Sequence, residues 1–219
     1  DDQIRHAITK LSHYHFVSTK SAKKRVIRMG EEKKRVFLVG SLGVENLLLH
    51  KKKKNFPKLF DFKLKNKRIL ICYHSQTNNL NLSRIEFLNL LDSLKYFKEY
   101  SLLFNYPNHD LDSEFIIKKT QSFIKKNKNS KLIKSLGQDN FYECLKSFDC
   151  IIGNSSAGII EAPSAKIPTI NIGLRQSGRD MAKSIFSIKG KSSLIKKTLK
   201  KVLLLKKKKL INFKNPYYK

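Results

Sequence analysis

Four apolar runs in this chain lead directly into side chains capable of chemistry. "RILICYH" ends at His74. "YSLLFNYP" leads into Asn108, His109 and Asp110. "CIIGNS" ends at Ser155 and Ser156, and "PTINIG" stops just before Arg175, with Arg179 four residues on. A histidine in such a place can donate to a phosphate or move a proton. In "GNSSAG", small residues would let an anion approach backbone N–H groups at a helix start, and the hydroxyls add donors. Residues 154–158 are therefore a candidate anion seat. The plainer alternative is that one serine only caps the helix. Glu161 follows among Ile159, Ile160, Ala162 and Pro163. A carboxylate in that apolar setting needs partners. The vicinal hydroxyls of a ribose would serve, and so would a lysine or arginine.

The elements that must position these residues follow from periodicity. "HFVST" and "RVFLVG" read as short buried strands around a helix in "SAKKRVIRMG". From residue 68 onward, apolar runs alternate with amphipathic segments such as "SRIEFLNLLDSLKYF" and "SEFIIKKTQSFIKKN". "AGIIEAPSA" reads as a helix with Glu161 on its second turn, and "GRDMAKSI" as the start of another. If the segment from Arg175 to Arg179 is helical, both arginines lie on one face. "SIFSIKG" contains a last strand, and "KSSLIKKTLKKVLLLKKKK" a last helix. Such alternation predicts βαβ units, hence an α/β fold with a Rossmann-type parallel sheet and helices on both faces. Ligands in such sheets sit beyond the carboxyl ends of the strands, where the candidates lie.

Bulk composition narrows the classes. The chain has 219 residues, is 40% hydrophobic, and carries a net charge of +29. Its lysines come in scattered runs, such as 51–54 and 206–209, and read as solvated faces. With no zinc-finger spacing and no RNA-binding aromatic motif, no nucleic-acid partner is expected. No apolar run approaches the ~20 residues that span a bilayer, so no membrane partner is expected. Three cysteines, odd in number and without metal-ligand spacing, fit a reducing cytoplasm. Neither a metal nor a cofactor is expected. His15 reads as structural and His13 as a weaker cleft-facing candidate. His6, His50 and His109 carry no functional reading.

Taken in order, "DDQIRHAITKLSHYHF", "CYHSQT", "NYPNHD" and "GNSSAGIIEAPSAKIPTINIGLRQSGR" resemble the UDP-N-acetylglucosamine 2-epimerase family. They are most similar to its hydrolysing branch, which makes N-acetylmannosamine or a related sugar for sialic-acid-type nonulosonic acids. The resemblance implies a GT-B-like architecture with a UDP-sugar in the cleft between two Rossmann-like domains. Residues 1–45 would close the amino-terminal domain and 46–66 would connect. Residues 67–190 would form the UDP-binding domain, and 191–219 a terminal helix and shortened tail. Ser155 and Ser156 would hold the UDP phosphates and Glu161 the ribose hydroxyls. His74 would lie at the sugar–phosphate side. Arg175 and, more weakly, Arg179 would serve the nucleotide. Asn108 and Asp110 would lie near the sugar, and Phe141 against the uracil. A homodimer or higher homo-oligomer is implied for the full-length enzyme.

Three departures bear on this expectation. The family's amino-terminal acidic residues, which handle the proton at C2 of the sugar, fall before the point where this chain starts. His74-Ser75-Gln76 replaces the branch's His-Pro-Val. The chain stops at "NPYYK", where relatives continue into a further helix. The expectation is therefore an interior fragment, catalytically incomplete by itself. Two other readings stand beside it: a GT-B glycosyltransferase that passes a UDP-linked sugar to an acceptor, and a non-enzymatic polyanion-binding module.

Overall fold

The computed structural model describes residues 2–51, 64–76 and 79–219. It opens with helix α1 (Asp2–Leu11), strand β1 (His15–Val17), helix α2 (Lys20–Arg28), a single 3-10 turn (Lys33–Arg35), strand β2 (Val36–Leu38) and helix α3 (Leu42–Leu49). β1 and β2 pair in parallel as a two-stranded sheet. Thr19 caps α2, its hydroxyl accepting from the Ala22 N–H at 3.2 Å. The Glu31 carboxylate receives both Lys10 and His15, at 2.6 and 3.0 Å. That contact gives His15 the structural role expected of it. Phe16 and Phe37 stack at 5.5 Å on the outer side of this sheet. Phe16, Tyr14, Leu11 and Leu42 are all exposed, Phe16 at 70%.

The larger unit holds β3 (Arg68–Cys72), α4 (Leu80–Leu94), β4 (Ser101–Asn105), α5 (Ser113–Lys126), β5 (Ser130–Ile133), α6 (Gly137–Ser147), β6 (Cys150–Gly153), α7 (Ala157–Ile160), β7 (Thr169–Ile172), β8 (Ile185–Ile188) and α8 (Ser192–Lys207). Its six strands are all parallel, in the order β5-β4-β3-β6-β7-β8. The chain builds outward from β3 through β4 to β5, returns to lay β6 beside β3, and builds outward again. The order reverses between β3 and β6. A crevice opens at such a reversal because the crossovers leave on opposite sides of the sheet.

Strand alternation assigns the two faces. Ile69, Ile71, Leu102, Phe104, Ile152 and Ile170 pack under α4, α5 and α8. Leu70, Cys72, Leu103 and Ile151 point the other way, toward Leu47 of α3 and Tyr142, Cys144 and Leu145 of α6. Each such side chain fully buried contributes about 1.5–3 kcal/mol. α8 shows how a lysine-rich segment joins a core. Ile195, Leu199 and Val202 recur at helical spacing and are buried, while most of its lysines turn outward and Lys206 donates to the Phe148 carbonyl. The three cysteines are free and buried. Burial pushes the Cys72 and Cys150 thiols up to about 12.

A third, small cluster joins Val44 of α3, Ile159 of α7 and Tyr217 of the tail. The tail reaches back over the chain's beginning. The Ser41 N–H donates to the Tyr217 carbonyl at 2.9 Å, Lys219 donates to the Leu38 carbonyl, and Asn215 donates to the Ile160 carbonyl.

Two sequence expectations need correction. No helix forms over 178–185. Residues 174–184 are turns, bends and irregular backbone, with Gly178 at φ +78, and β8 begins at Ile185. α7 is a single turn, ending before Glu161 rather than running to 165. Pro163 disfavours helical backbone in the residue before it and has no N–H to continue the ladder. Most of the expected 46–66 connector lies outside the described residues.

Candidate functional site

The β3–β6 reversal brings together two of the four expected segments through one side chain. Asn154 follows β6 and has no exposed surface. Its Oδ1 accepts from the His74 N–H at 2.7 Å, and its Nδ2 donates to the His74 carbonyl at 2.8 Å. Its own N–H donates to the Cys72 carbonyl at 3.0 Å. The expectation that Asn154 belongs to the anion seat is therefore corrected. Its side chain is used up in gripping the loop after β3. Gly153 makes this possible. At φ +142 it brings β6 so close to β3 that an added Cβ would lie 2.0 Å from the Cys72 carbonyl oxygen.

His74 is 6% exposed. Its Nδ1 accepts from the Asn108 N–H at 3.0 Å. An acceptor at Nδ1 fixes the neutral ring as the Nε2–H tautomer, leaving Nε2 as a donor. Burial, reinforced by the Arg175 cation, brings its pKa from 6.5 down to about 4, against the opposing pull of Asp110. Arg175 approaches Asp110 at 3.9 Å and donates to the Asn154 carbonyl at 3.2 Å. Burial lowers its pKa from the usual guanidinium value. His74, Asn108, Asp110 and Arg175 thus form one group at the ends of β3, β4 and β7.

Gln176 was not singled out in the sequence, yet it belongs to this group. It is buried, and its Nε2 donates to the Asn154 carbonyl at 2.7 Å. A Gln beside an Arg in a Gly-bounded turn gave no periodic signal. The burial comes from chain reversal and not from an element.

Ser155 and Ser156 are half-buried. Ser156 stands at the N-cap position of α7 with no side-chain cap bond, so the plain capping alternative does not describe it. Among the described residues, the N–H groups of Ser155, Ser156 and Ala157 have no backbone acceptor. Gly158 must be small: a Cβ there would lie 2.8 Å from the Thr169 methyl group.

Glu161 forms a second group, just past α7. Its Oε2 is buried without a hydrogen-bond partner among the described residues. Burial raises its pKa, and the Arg179 cation opposes that rise. The first turn of α3 lies directly against it, since a Cβ on Gly43 would meet Glu161 Oε1 at 2.3 Å. The Gly43 carbonyl in turn accepts from the Tyr142 hydroxyl at 3.2 Å. The Arg179 cation also bears on the Tyr217 hydroxyl, opposing the rise that burial gives its pKa. The two arginines therefore serve different groups, Arg175 with His74 and Arg179 with Glu161, and do not share a helical face.

Phe141 is half-buried and packs against the cluster of Leu47, Leu136 and Tyr142. No ring contact joins it to the other candidates among the described residues. His50 carried no sequence argument, yet it is tied to α6 through Glu143 at 2.9 Å and Asp139 at 3.5 Å. Among the described residues no three or more His, Cys, Asp or Glu side chains gather as a metal site, and no helix is long and apolar enough to cross a membrane.

The sequence pattern of the UDP-N-acetylglucosamine 2-epimerase family matches residues 1–219. The chain belongs to that family. It is 42% identical over 183 residues to the GDP/UDP-N,N'-diacetylbacillosamine 2-epimerase (hydrolyzing) of Campylobacter jejuni, covering 82% of this chain and 47% of the relative. It is 38% identical over 191 residues to polysialic acid biosynthesis protein P7 of Escherichia coli, covering 86% and 48%. The chain spans about half the length of these curated relatives. The family fold is matched by the Neisseria meningitidis UDP-GlcNAc 2-epimerase bound to UDP-GlcNAc. The TM-score is 0.75 at 21% identity, over 96% of this chain and 59% of that one. The Methanocaldococcus jannaschii enzyme, solved with UDP-GlcNAc and UDP, gives 0.72 at 22% identity, over 96% and 58%. The epimerase family and the GT-B-like arrangement expected from the sequence both hold.

Proposed function

We propose that this chain is the nucleotide-binding half of a hydrolysing UDP-sugar 2-epimerase, acting on UDP-N-acetylglucosamine or a related UDP-2-acetamido sugar. The observation that carries the reading is the placement of donors and acceptor around one turn. Among the described residues, the backbone N–H groups at 155–157 have no backbone acceptor and the Ser155 and Ser156 hydroxyls have no hydrogen-bond partner. Glu161 follows them with a buried oxygen that has no hydrogen-bond partner among the described residues. In this reading the diphosphate lies against the serine turn, with Arg175 supplying positive charge. Glu161 accepts from the ribose hydroxyls, with Arg179 beside it. Phe141 packs on the uracil side.

In the reaction so assigned, C2 of the sugar loses a proton, the C1–O bond to UDP breaks, and a 2-acetamidoglucal forms. Water then adds, giving the free 2-epimer and UDP. His74 enters as the neutral Nε2–H tautomer. It is therefore a donor to the departing phosphate oxygen and not the base that takes the C2 proton. Asn108 and Asp110 stand on the sugar side. The proton at C2 falls to carboxylates of an amino-terminal domain. The complete protein would work in the cytoplasm as a homodimer or larger homo-oligomer, feeding sialic-acid-type sugar synthesis.

Titration calorimetry with UDP tests the nucleotide assignment. Ser156→Ala and Arg175→Ala are each expected to weaken UDP about tenfold or more, since a hydrogen bond to a charged group contributes about 1.5–3 kcal/mol. Unchanged affinity in both variants would remove the phosphate assignment. The 219-residue chain is further expected to give no steady release of UDP from UDP-N-acetylglucosamine. Sustained turnover in a coupled UDP assay would show that the C2 chemistry is complete within it.

A further inference from the structure

Next to the His74 loop lies a polar cluster that the proposed chemistry does not use. Its centre is Glu86, 5% exposed, on α4. Glu86 Oε2 accepts from Gln76 Nε2 at 3.0 Å and from the Tyr73 hydroxyl at 3.4 Å, and Oε1 accepts from the Gly190 N–H at 3.3 Å. Among the described residues no lysine or arginine lies within ion-pair distance of it. In a chain of net charge +29, a buried carboxylate held by neutral donors alone is a specific construction.

The surrounding backbone is shaped to admit it. A Cβ at Gly173, which has φ +72, would lie 2.5 Å from Glu86 Oε2, and one at Gly190 would lie 2.4 Å from Glu86 Cγ. Two strand-end glycines thus make the slot into which Glu86 fits. A buried carboxylate with no cation beside it among the described residues is costly, so its retention needs a structural return. The return is Gln76. Its N–H donates to the Ser83 hydroxyl at 3.1 Å and its side chain to Glu86, fastening the loop after His74 to α4. Asn154 fastens the other end, at His74 itself.

We propose that Glu86 is a positioning residue for His74. Acting through Gln76, it fastens this turn to α4 by hydrogen bonding and so holds the imidazole against the Asn108 N–H in a single tautomer. The site served is the one assigned above, but the inference concerns the ring's placement and needs no nucleotide to be tested.

The test is a long-range proton–nitrogen correlation spectrum of histidine-labelled protein, recorded through a pH titration without ligand. In the wild-type chain His74 shows the Nε2–H tautomer pattern and stays neutral into the acid range, with Arg175 and Asp110 the charges bearing on the ring. Glu86→Ala and Gln76→Ala are expected to give a mixed tautomer signal and a His74 titration moved by about one unit or more toward 6.5. Glu86→Gln keeps an acceptor for Gln76 and is expected to retain the wild-type tautomer. Gln76 lies on a loop, so its variant decides the matter should the helix variant fail to fold. A wild-type His74 signal in folded Gln76→Ala protein overturns the proposal. Loss of UDP binding by Ser156→Ala with these spectra unchanged would leave the two ideas separately judged.

Discussion

Gly153→Ala is expected to destabilise the chain by about 3–5 kcal/mol, at the upper end of single substitutions. Two effects combine. The residue sits at φ +142, where an L side chain is strained. The new methyl would also stand 2.0 Å from the Cys72 carbonyl oxygen and 2.5 Å from its carbon. Those atoms belong to the backbone of a central strand and cannot swing aside as a side-chain end could. Relief requires β6 to move off β3. That movement breaks the Asn154 N–H bond to Cys72 and pulls the Asn154 side chain from the His74 loop. Urea unfolding followed by circular dichroism reads the effect as a lower midpoint at unchanged slope. A wild-type midpoint would mean that the close approach of the strands is not a constraint.

The second large effect is expected from acid. His74 is neutral in the fold with a pKa of about 4, against 6.5 when free. A depressed pKa means that the unfolded chain binds the proton more readily. The stability linked to His74 is complete above pH 6.5 and is lost as pH falls from there to about 4. Over that window the loss amounts to about 3 kcal/mol. Below it the term is constant. Carboxylates such as Asp112, held below their usual range by Arg84, also weaken the fold on acidification. The comparison with His74→Gln therefore isolates the histidine. The variant's unfolding free energy should vary less than that of the wild type between pH 6.5 and 4, by that amount. Parallel curves for the two proteins would show that the ring is not held neutral.

Much of the fold was readable because the strands are short, apolar and separated by amphipathic helices. Ile195, Leu199 and Val202 announce α8 despite the lysines between them. The alternation of Ile69 and Ile71 with Leu70 and Cys72 fits a strand covered on both faces. Legibility failed where backbone geometry, not pattern, decides. "GRDMAKSI" has helical spacing, but Gly178 at φ +78 turns the chain instead. Pro163 stops α7 after one turn, although the apolar run continues. At the site, the sequence located the strand ends and named His74, Asn108, Asp110 and Arg175, which do converge. It could not show that Asn154 faces backward or that Gln176 is buried behind it. Nor could it show that Glu86, half a helix away from any motif, stands under the histidine loop. Such contacts join elements distant in sequence and leave no local period to read.

The tail that crosses back over the chain's beginning has a consequence for time as well as for structure. Lys219 and the Leu38 carbonyl it meets are 181 residues apart. At equilibrium such a long closure is inexpensive, because each doubling of loop length adds only about 0.6 kcal/mol. Kinetically it is slow, because contacts between distant residues form after local ones. The six-stranded sheet can assemble from crossovers between neighbouring segments. The bonds that tie Leu38 and Ser41 to the tail, and the packing of Val44 on Tyr217, have to wait until residues 215–219 have been made. Residues 38–41 are thus among the last to be secured.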